Sequence, residues 1–266
     1  MSGPVLFWIT DSDRVVTAPE GRLLEPGSIL SRHLAKSLRA KEGDLFRFVD
    51  PESPAQIFQG RIVRLSPLAI ALSPESVPVA GGEGKGRPFD LAVGILKGES
   101  FEDLIEPVTC LGVRRLVPLL ADRSQARWSR EQFERKRVRF ESKIRESSQL
   151  SGRADRMRLD PPCSLSELLS GRDGAFVLFF DEDPSVPSLR EILAGDREPA
   201  SFLAVTGPEG GWSERERDLF RDFEKSKNGA RASLGRRILP GRLAPLVAAS
   251  LFSQELLPPP KTRTPE

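Results

Sequence analysis

The 266-residue chain contains one histidine, His33, and two cysteines, Cys110 and Cys163. That scarcity excludes several chemistries. A histidine-dependent catalytic triad would have to use His33, which sits in the helix-like stretch SRHLAKSL, far in sequence from the glycine-rich loops near the C-terminus. A surface or capping role is therefore expected for it. Two distant cysteines offer neither a disulfide framework nor a metal-ligand spacing, so no metal and a reducing compartment are expected. Long apolar runs are also missing. Stretches such as Ala175 to Phe180 fall far short of the ~20 residues that span a bilayer, so no membrane association is expected. The start of the chain, MSGPVLFWITDSD, has no basic segment and meets acids directly after its apolar run, which argues against a signal peptide. A soluble, cytoplasmic protein is the expectation.

With 38% hydrophobic and 29% charged residues, the chain can bury packed cores, and its length suggests two domains. The net charge of +2 hides an asymmetry: Arg114 to Arg158 holds fourteen Lys/Arg against six Asp/Glu. Such a segment suits a polyanion-facing surface, with nucleic acid the usual partner. It equally suits a solvated helix face laced with i,i+4 pairs such as Glu131–Arg135 and Glu141–Arg145.

Residues 1–74 read as β-rich. PVLFWIT, DLFRFVD, QIFQGRIVRLS and LAIAL are short strand-like runs, with one helical patch from Leu30 to Leu38, and together they suit a small barrel. The Pro/Gly-rich stretch 75–88 reads as a linker. From residue 89 to 257 the rhythm becomes strand–helix alternation. FDLAVGIL, RRLVPLL, AFVLFF and FLAVT are strands, and a helix in FEDLIEPVTCLG is expected to be disturbed at Pro107. Ser129-x-x-Gln132 and Ser213-x-x-Glu216 are capping-box signatures that open helices, the first running to about Leu150. A short strand near Ala230 to Leu234 and a final helix from about Leu243 to Leu256 complete an α/β domain. Its sheet is expected to be mostly parallel, with ligands at the carboxyl ends of the strands. Residues 258–266 read as a disordered tail.

The loop Thr206-Gly207-Pro208-Glu209-Gly210-Gly211-Trp212 joins a strand end to a helix start. Its glycines permit positive φ and close backbone approach. It lacks the lysine of a phosphate loop, and Glu209 puts negative charge where a phosphate would lie, so a phosphate ligand is disfavoured. A ligand with hydroxyls, an aromatic base or positive charge fits better, and a tight turn without ligand is the plain alternative. A second glycine-cornered loop, Ser233 to Pro245, precedes the last helix, and the two loops suit opposite walls of one pocket.

GPEGGWSERE followed by LGRRIL resembles the ribosomal RNA small-subunit methyltransferase E family of the SPOUT superfamily. KGESFEDLIEPVTCLGVRRLVPLLADRS, SSQLSGR and HLAKSLRAKEGD extend the resemblance over most of the chain. It implies a C-terminal SPOUT trefoil-knot domain (89–257) and an N-terminal PUA-like β-barrel that binds RNA (1–74). The implied activity is methylation of N3 of a uridine in 16S rRNA of the small ribosomal subunit, with S-adenosyl-L-methionine as cofactor, by a homodimer. Phe180, Asp181, Thr206, Gly207, Pro208, Glu209, Gly210, Gly211, Leu234, Gly235, Ile238 and Leu239 are then expected to bind the cofactor. Arg237, with Arg242, is expected to be catalytic. His33, Arg39, Lys97, Arg123, Arg127 and Arg153 are expected to contact RNA.

One segment departs from the family. RIL is normally continued by an arginine and then Thr-Glu-Thr-Ala, whereas here Pro240-Gly241-Arg242-Leu243-Ala244 follows. The alternatives that this leaves open are a non-catalytic RNA-binding or ribosome-assembly factor on the same scaffold, and a SPOUT methyltransferase for another RNA nucleoside.

Overall fold

The strand-like runs at both ends of the chain become two six-stranded sheets of opposite character. The structure is a computed structural model that describes residues 6–10, 12–19, 21–50, 57–74, 86–153, 155–171, 174–183, 185–195 and 199–256. Most of the expected linker (75–85) and the expected tail (258–266) lie outside the described residues. The chain divides into two units, one of residues 1–83 with 148–156 and the other of 84–147 with 157–266.

In the first unit, strands β1 (Leu6–Trp8), β2 (Arg14–Ala18), β3 (Gly21–Glu25), β4 (Leu45–Val49), β5 (Ile57–Leu65) and β6 (Leu68–Pro74) form a sheet in the order β1-β4-β5-β6-β3-β2. Every pairing is antiparallel except β1 with β4. Period-2 alternation is clear on β5, where Phe58, Gly60 and Ile62 are buried. Gly60 is glycine because the Phe48 ring and the Ile70 side chain already occupy the place of a Cβ. A short helix α1 (Ser28–Arg32) runs into a π-helical turn, His33–Ser37, and its Leu30 and Leu34 join Phe7, Phe48, Phe58 and Ile70 in the core. The β2–β3 hairpin has no counterpart among the strand-like runs read from the sequence. It is short and half-exposed, so its polar residues hide the pattern, and its one signal is Gly21 at φ +125° in the turn.

The second unit is a parallel sheet in the order β12-β10-β11-β7-β8-β9, built from β7 (Phe89–Gly94), β8 (Arg115–Leu119), β9 (Arg158–Leu159), β10 (Ala175–Phe180), β11 (Ser201–Thr206) and β12 (Gly229–Ala232). Helices α2 (Ser100–Cys110), α3 (Arg130–Ser151), α4 (Leu165–Ser170), α5 (Leu189–Leu193), α6 (Glu214–Glu224) and α7 (Ala244–Leu256) connect and cover it. Both sheet faces are buried, which is why these strands read as continuous apolar runs. Phe89, Leu91, Phe176, Leu178, Phe202 and Ala204 face one core with α2, α3 and α7, while Ala92, Val117, Val177, Phe179 and Val205 face another with α4 and α6. The mixed α/β architecture with a parallel sheet is as expected.

The cap at Ser129 is reciprocal: the Ser129 amide donates to Gln132 Oε1 at 3.0 Å and the Gln132 amide donates to Ser129 Oγ at 3.2 Å. The disturbance expected at Pro107 does not occur. Helix α2 runs through it, and the Leu111 amide bonds the Pro107 carbonyl at 2.9 Å. Burial of Phe101, Leu104, Ile105 and Val108 outweighs the one donor that proline removes. Helix α4 and the two-residue β9 were not read from the sequence.

Much of the basic segment is spent internally. Asp90, fully buried at the start of β7, takes a two-bond fork from Arg114 (2.8 and 2.9 Å) and bonds from Arg115 (2.5 and 3.1 Å). Hydrogen bonding to Asp90 raises the Arg114 pKa. Glu102, 8% exposed, holds Arg139 at 2.7 Å and Lys143 at 2.9 Å, joining α2 to α3. Glu131–Arg135 is a pair at 3.9 Å, and Glu141 pairs with Arg137 at 3.4 Å, one turn back from the expected Arg145. Removing the buried carboxylate in Asp90→Ala takes Arg114's carboxylate partner away and leaves Arg115 only Asp160, at 3.4 Å. The expected loss is about 3 kcal/mol of unfolding free energy, read by denaturant melts against Arg115→Lys as a milder control.

The two cysteines are free, Cys110 exposed and Cys163 partly buried. Burial, with Glu167 and Asp160 nearby, pushes the Cys163 thiol up to about 11. The neutral thiol is the form the fold favours, so its contribution to stability is complete below the ordinary thiol value and is lost as pH rises through the folded one. At pH 8 iodoacetamide is expected to label Cys110 first, with Cys163 carrying roughly a hundredfold less thiolate than an ordinary thiol. Equal labelling rates in peptide mass spectrometry would refute this.

Candidate functional site

Strand β7 is the point where the parallel sheet changes direction: β8 lies on one side and β11 on the other. Loops after β10, β11 and β12 therefore gather at one carboxyl edge, where such sheets place ligands. They enclose a cavity of about 910 Å³, walled by Phe180 to Glu182, by Gly207 to Trp212 and by Ser233 to Gly241.

The middle wall is the GPEGG loop. Trp212 anchors it: its Nε1 donates to the Phe180 carbonyl at 2.8 Å, and its ring stacks on Phe179 at 4.4 Å, which stacks on Phe220 at 4.5 Å. Ser213 and Glu216 close the expected capping box, with bonds of 2.9 and 3.1 Å. Glu216 also accepts from the Asp122 amide at 2.9 Å, and Ser213 Oγ donates to Asp122 Oδ2 at 2.6 Å. The loop is thus tied to the segment between β8 and α3.

Several of the glycines answer to neighbouring protein. A Cβ on Gly210 would lie 2.9 Å from the Arg123 carbonyl oxygen, one on Gly94 would strike Pro208, and one on Gly241 would lie 2.9 Å from the Glu209 nitrogen. Gly211 has φ +66°, the left-handed region that glycine tolerates. The glycine-rich composition thus permits loops to close on one another as well as on a ligand.

The charge on the cavity wall is mainly negative. Asp181, Glu182, Glu191 and Glu209 line it, against Arg236 and Arg237. Asp181 is buried and held by Arg217, whose Nε and Nη2 donate at 3.1 and 3.2 Å; that bonding raises the Arg217 pKa. Glu191 caps α5 through Ser188, bonds that hold its carboxyl below the usual range. Glu209 Oε1 accepts the Lys97 amide at 3.0 Å. Glu209 was expected to set its charge where a phosphate would lie; its carboxylate instead bonds backbone at the β7–α2 loop.

Of the expected cofactor residues, all line the cavity except Thr206. Thr206 ends β11 fully buried, with its hydroxyl 3.5 Å from the Ala92 carbonyl oxygen, because its side chain belongs to the sheet layer rather than the loop. Arg237 lines the cavity; Arg242 is exposed and is not part of the wall. His33, Arg39, Lys97, Arg123 and Arg127 are exposed, His33 packing edge-on to Phe7 at 5.7 Å. Arg153 departs from the expectation: its side chain is 8% exposed and forks onto Asp155 at 3.1 and 2.6 Å, so its cation is committed internally. Trp212 and Arg217, which are not among the expected site residues, fix the walls. Their signal was position, the end of a loop and one turn into the following helix.

Among the described residues, no group of three His, Cys, Asp or Glu could hold a metal ion, and no helix is long and apolar enough to cross a membrane.

The RNA methyltransferase domain family matches residues 84–253. A ribosomal RNA small subunit methyltransferase E of Synechocystis sp. is 29% identical over 241 residues, covering 88% of this chain and 75% of that protein. The structure of a ribosomal RNA small subunit methyltransferase E from Neisseria gonorrhoeae, bound to S-adenosyl methionine, superposes with a TM-score of 0.72 at 18% identity, covering 95% of this chain and 98% of that one. A putative methyltransferase of Legionella pneumophila, in complex with the same cofactor, gives 0.71 at 20% identity, with coverages of 95% and 98%. The family match spans more than half of the sequence, and the chain belongs to the RNA methyltransferase domain family.

Proposed function

We propose that the protein is an S-adenosyl-L-methionine-dependent methyltransferase acting on N3 of a uridine in 16S rRNA. The observation that carries this is the cavity at the carboxyl edge of β10, β11 and β12, whose wall has four carboxylates and two arginines. That donor set fits the cofactor, which has no phosphate and carries a positive sulfonium and an ammonium group. Bound there, it supplies an activated methyl group. Gly207 to Gly211 and Leu234 to Leu239 hold it, with Phe180 and Asp181 completing the wall.

The chain's own residues do the remaining work. Uridine N3 bears a proton in the neutral base, and the anion that forms as this proton leaves needs an adjacent cation. Arg237 is on the cavity wall and has no carboxylate partner among the described residues. It stabilises the developing charge and orients the base. Exposed Arg123 and Arg127, on the segment tied to the GPEGG loop, contact RNA backbone together with His33, Arg39 and Lys97. The antiparallel sheet of residues 6–74 acts as a PUA-like RNA-binding barrel, residues 75–88 as a linker, and residues 89–257 as a SPOUT trefoil-knot domain. The enzyme works in the cytoplasm as a homodimer on the small ribosomal subunit.

The test is transfer of labelled methyl groups to 16S rRNA or the small subunit, with nucleoside mass spectrometry. 3-Methyluridine is the expected product. One observation favours a second reading, RNA binding without catalysis: Pro240 lacks the family's cation and Arg242 is not part of the cavity wall. RNA binding by folded protein without cofactor binding or methyl transfer would select it.

A further inference from the structure

The GPEGG loop is gripped from several directions, and Glu209 is where two of the grips meet. Its Oε1 accepts the Lys97 amide at 3.0 Å, from the loop that follows β7. Its backbone meets Gly241, where an added Cβ would lie 2.9 Å from the Glu209 nitrogen, 3.1 Å from its Cα and 3.2 Å from its Cγ. One residue earlier, Pro208 lies against Gly94 so closely that a Cβ there would overlap it. Two segments distant in sequence, Gly94 to Lys97 and the one at Gly241, therefore converge on Pro208 and Glu209. Lys97 is exposed and followed by Gly98 at φ +63°, and its carbonyl accepts the Ser100 amide at 3.3 Å.

The geometry points to Glu209 as a positioning residue that locks the Lys97 loop and the Gly241 segment to the GPEGG loop, so that the RNA-facing and cofactor-facing loops hold one register. This rests on the methyltransferase reading above. It assigns the carboxylate to a neutral backbone donor, a task for its oxygen as acceptor rather than for its charge. The consequence is specific: glutamine keeps the function and alanine loses it. A direct electrostatic contact with the cofactor's positive charge would give a different order, with glutamine and alanine both impaired.

The test compares Glu209→Ala, Glu209→Gln and Gly241→Val with the wild-type chain. Hydrogen exchange at the Lys97 amide reads the bond itself, independently of activity. It is expected to quicken roughly tenfold in Glu209→Ala and to recover in Glu209→Gln, the effect of one net hydrogen bond. In steady-state assays with small-subunit RNA, Glu209→Ala is expected to raise the KM for RNA and lower kcat/KM about tenfold. The cofactor Kd, measured by calorimetry with S-adenosylmethionine, should weaken in Glu209→Ala and return to within about threefold of wild type in Glu209→Gln. Gly241→Val should reproduce the RNA defect by forcing Glu209 away. Unchanged exchange at Lys97 in Glu209→Ala overturns the lock. A Glu209→Gln variant that loses cofactor affinity as severely as alanine overturns the positioning role in favour of a charge contact. A wild-type protein that neither binds cofactor nor methylates RNA overturns the methyltransferase reading and the RNA-positioning role with it, whereas the exchange result still judges the bond.

Discussion

Trp212→Ala is expected to lower unfolding free energy by about 4 kcal/mol, the usual cost of truncating a buried tryptophan. The side chain is almost completely buried and ends a stack that runs through Phe179 to Phe220. Its indole N–H also satisfies the Phe180 carbonyl, which lies on the cavity wall. Alanine would leave a cavity where the ring stood and strand that carbonyl. It would also free the end of the GPEGG loop, so cofactor binding should fall below detection at concentrations that saturate wild type. Trp212→Phe separates the contributions. It keeps most of the stack and loses the hydrogen bond, for an expected cost of roughly 1–2 kcal/mol. Denaturant titration gives the stabilities and calorimetry the affinities. A Trp212→Ala protein within 1 kcal/mol of wild type would show that the stack contributes little.

Arg237→Ala is expected to reduce kcat about a hundredfold, the range for removing one preorganised donor at a developing anion. The cofactor Kd should change less than about threefold, because the wall that faces a cationic ligand is carboxylate-rich and Arg237 does not belong to that set. Arg237→Lys should recover part of the rate, keeping charge without the planar fork. The contrast with Arg242 is useful. Arg242 is outside the wall, and its alanine variant should retain kcat within a few-fold. Loss of cofactor affinity alone in Arg237→Ala would move that residue from the uridine to the cofactor.

The parts legible in the sequence were those carried by local chemistry. Caps at Ser129 and Ser213 announced helices because serine and the residue three positions on satisfy each other's orphan amides. Strands β7, β10 and β11 stood out because a parallel sheet buries both faces. The pocket-forming loops were visible from their glycines and their place between strand and helix. Long-range partnerships were not visible. Arg114 and Arg115 looked like RNA-facing charge, but Asp90 lies beneath them, 24 and 25 residues away. Glu209 advertised its charge, while its contact is with an amide 112 residues away. Thr206 was one residue too early, since the strand register turns its side chain into the sheet layer. Pro107 broke no helix because packing, a tertiary term, outweighed local propensity.

Strand order also has a consequence for how the chain acquires its form during synthesis. β7 is the first strand of its unit to leave the ribosome, yet one of its two edges pairs with β11, which begins at Ser201. Until more than a hundred residues have followed, that edge stays open, and the nascent sheet can extend only toward β8 and β9. The Phe89 ring waits longer still for Phe252 of α7, on which it stacks at 5.4 Å. Helix α7 closes over β7, so this unit can complete its core only once residue 252 has been made, more than 160 residues after Phe89.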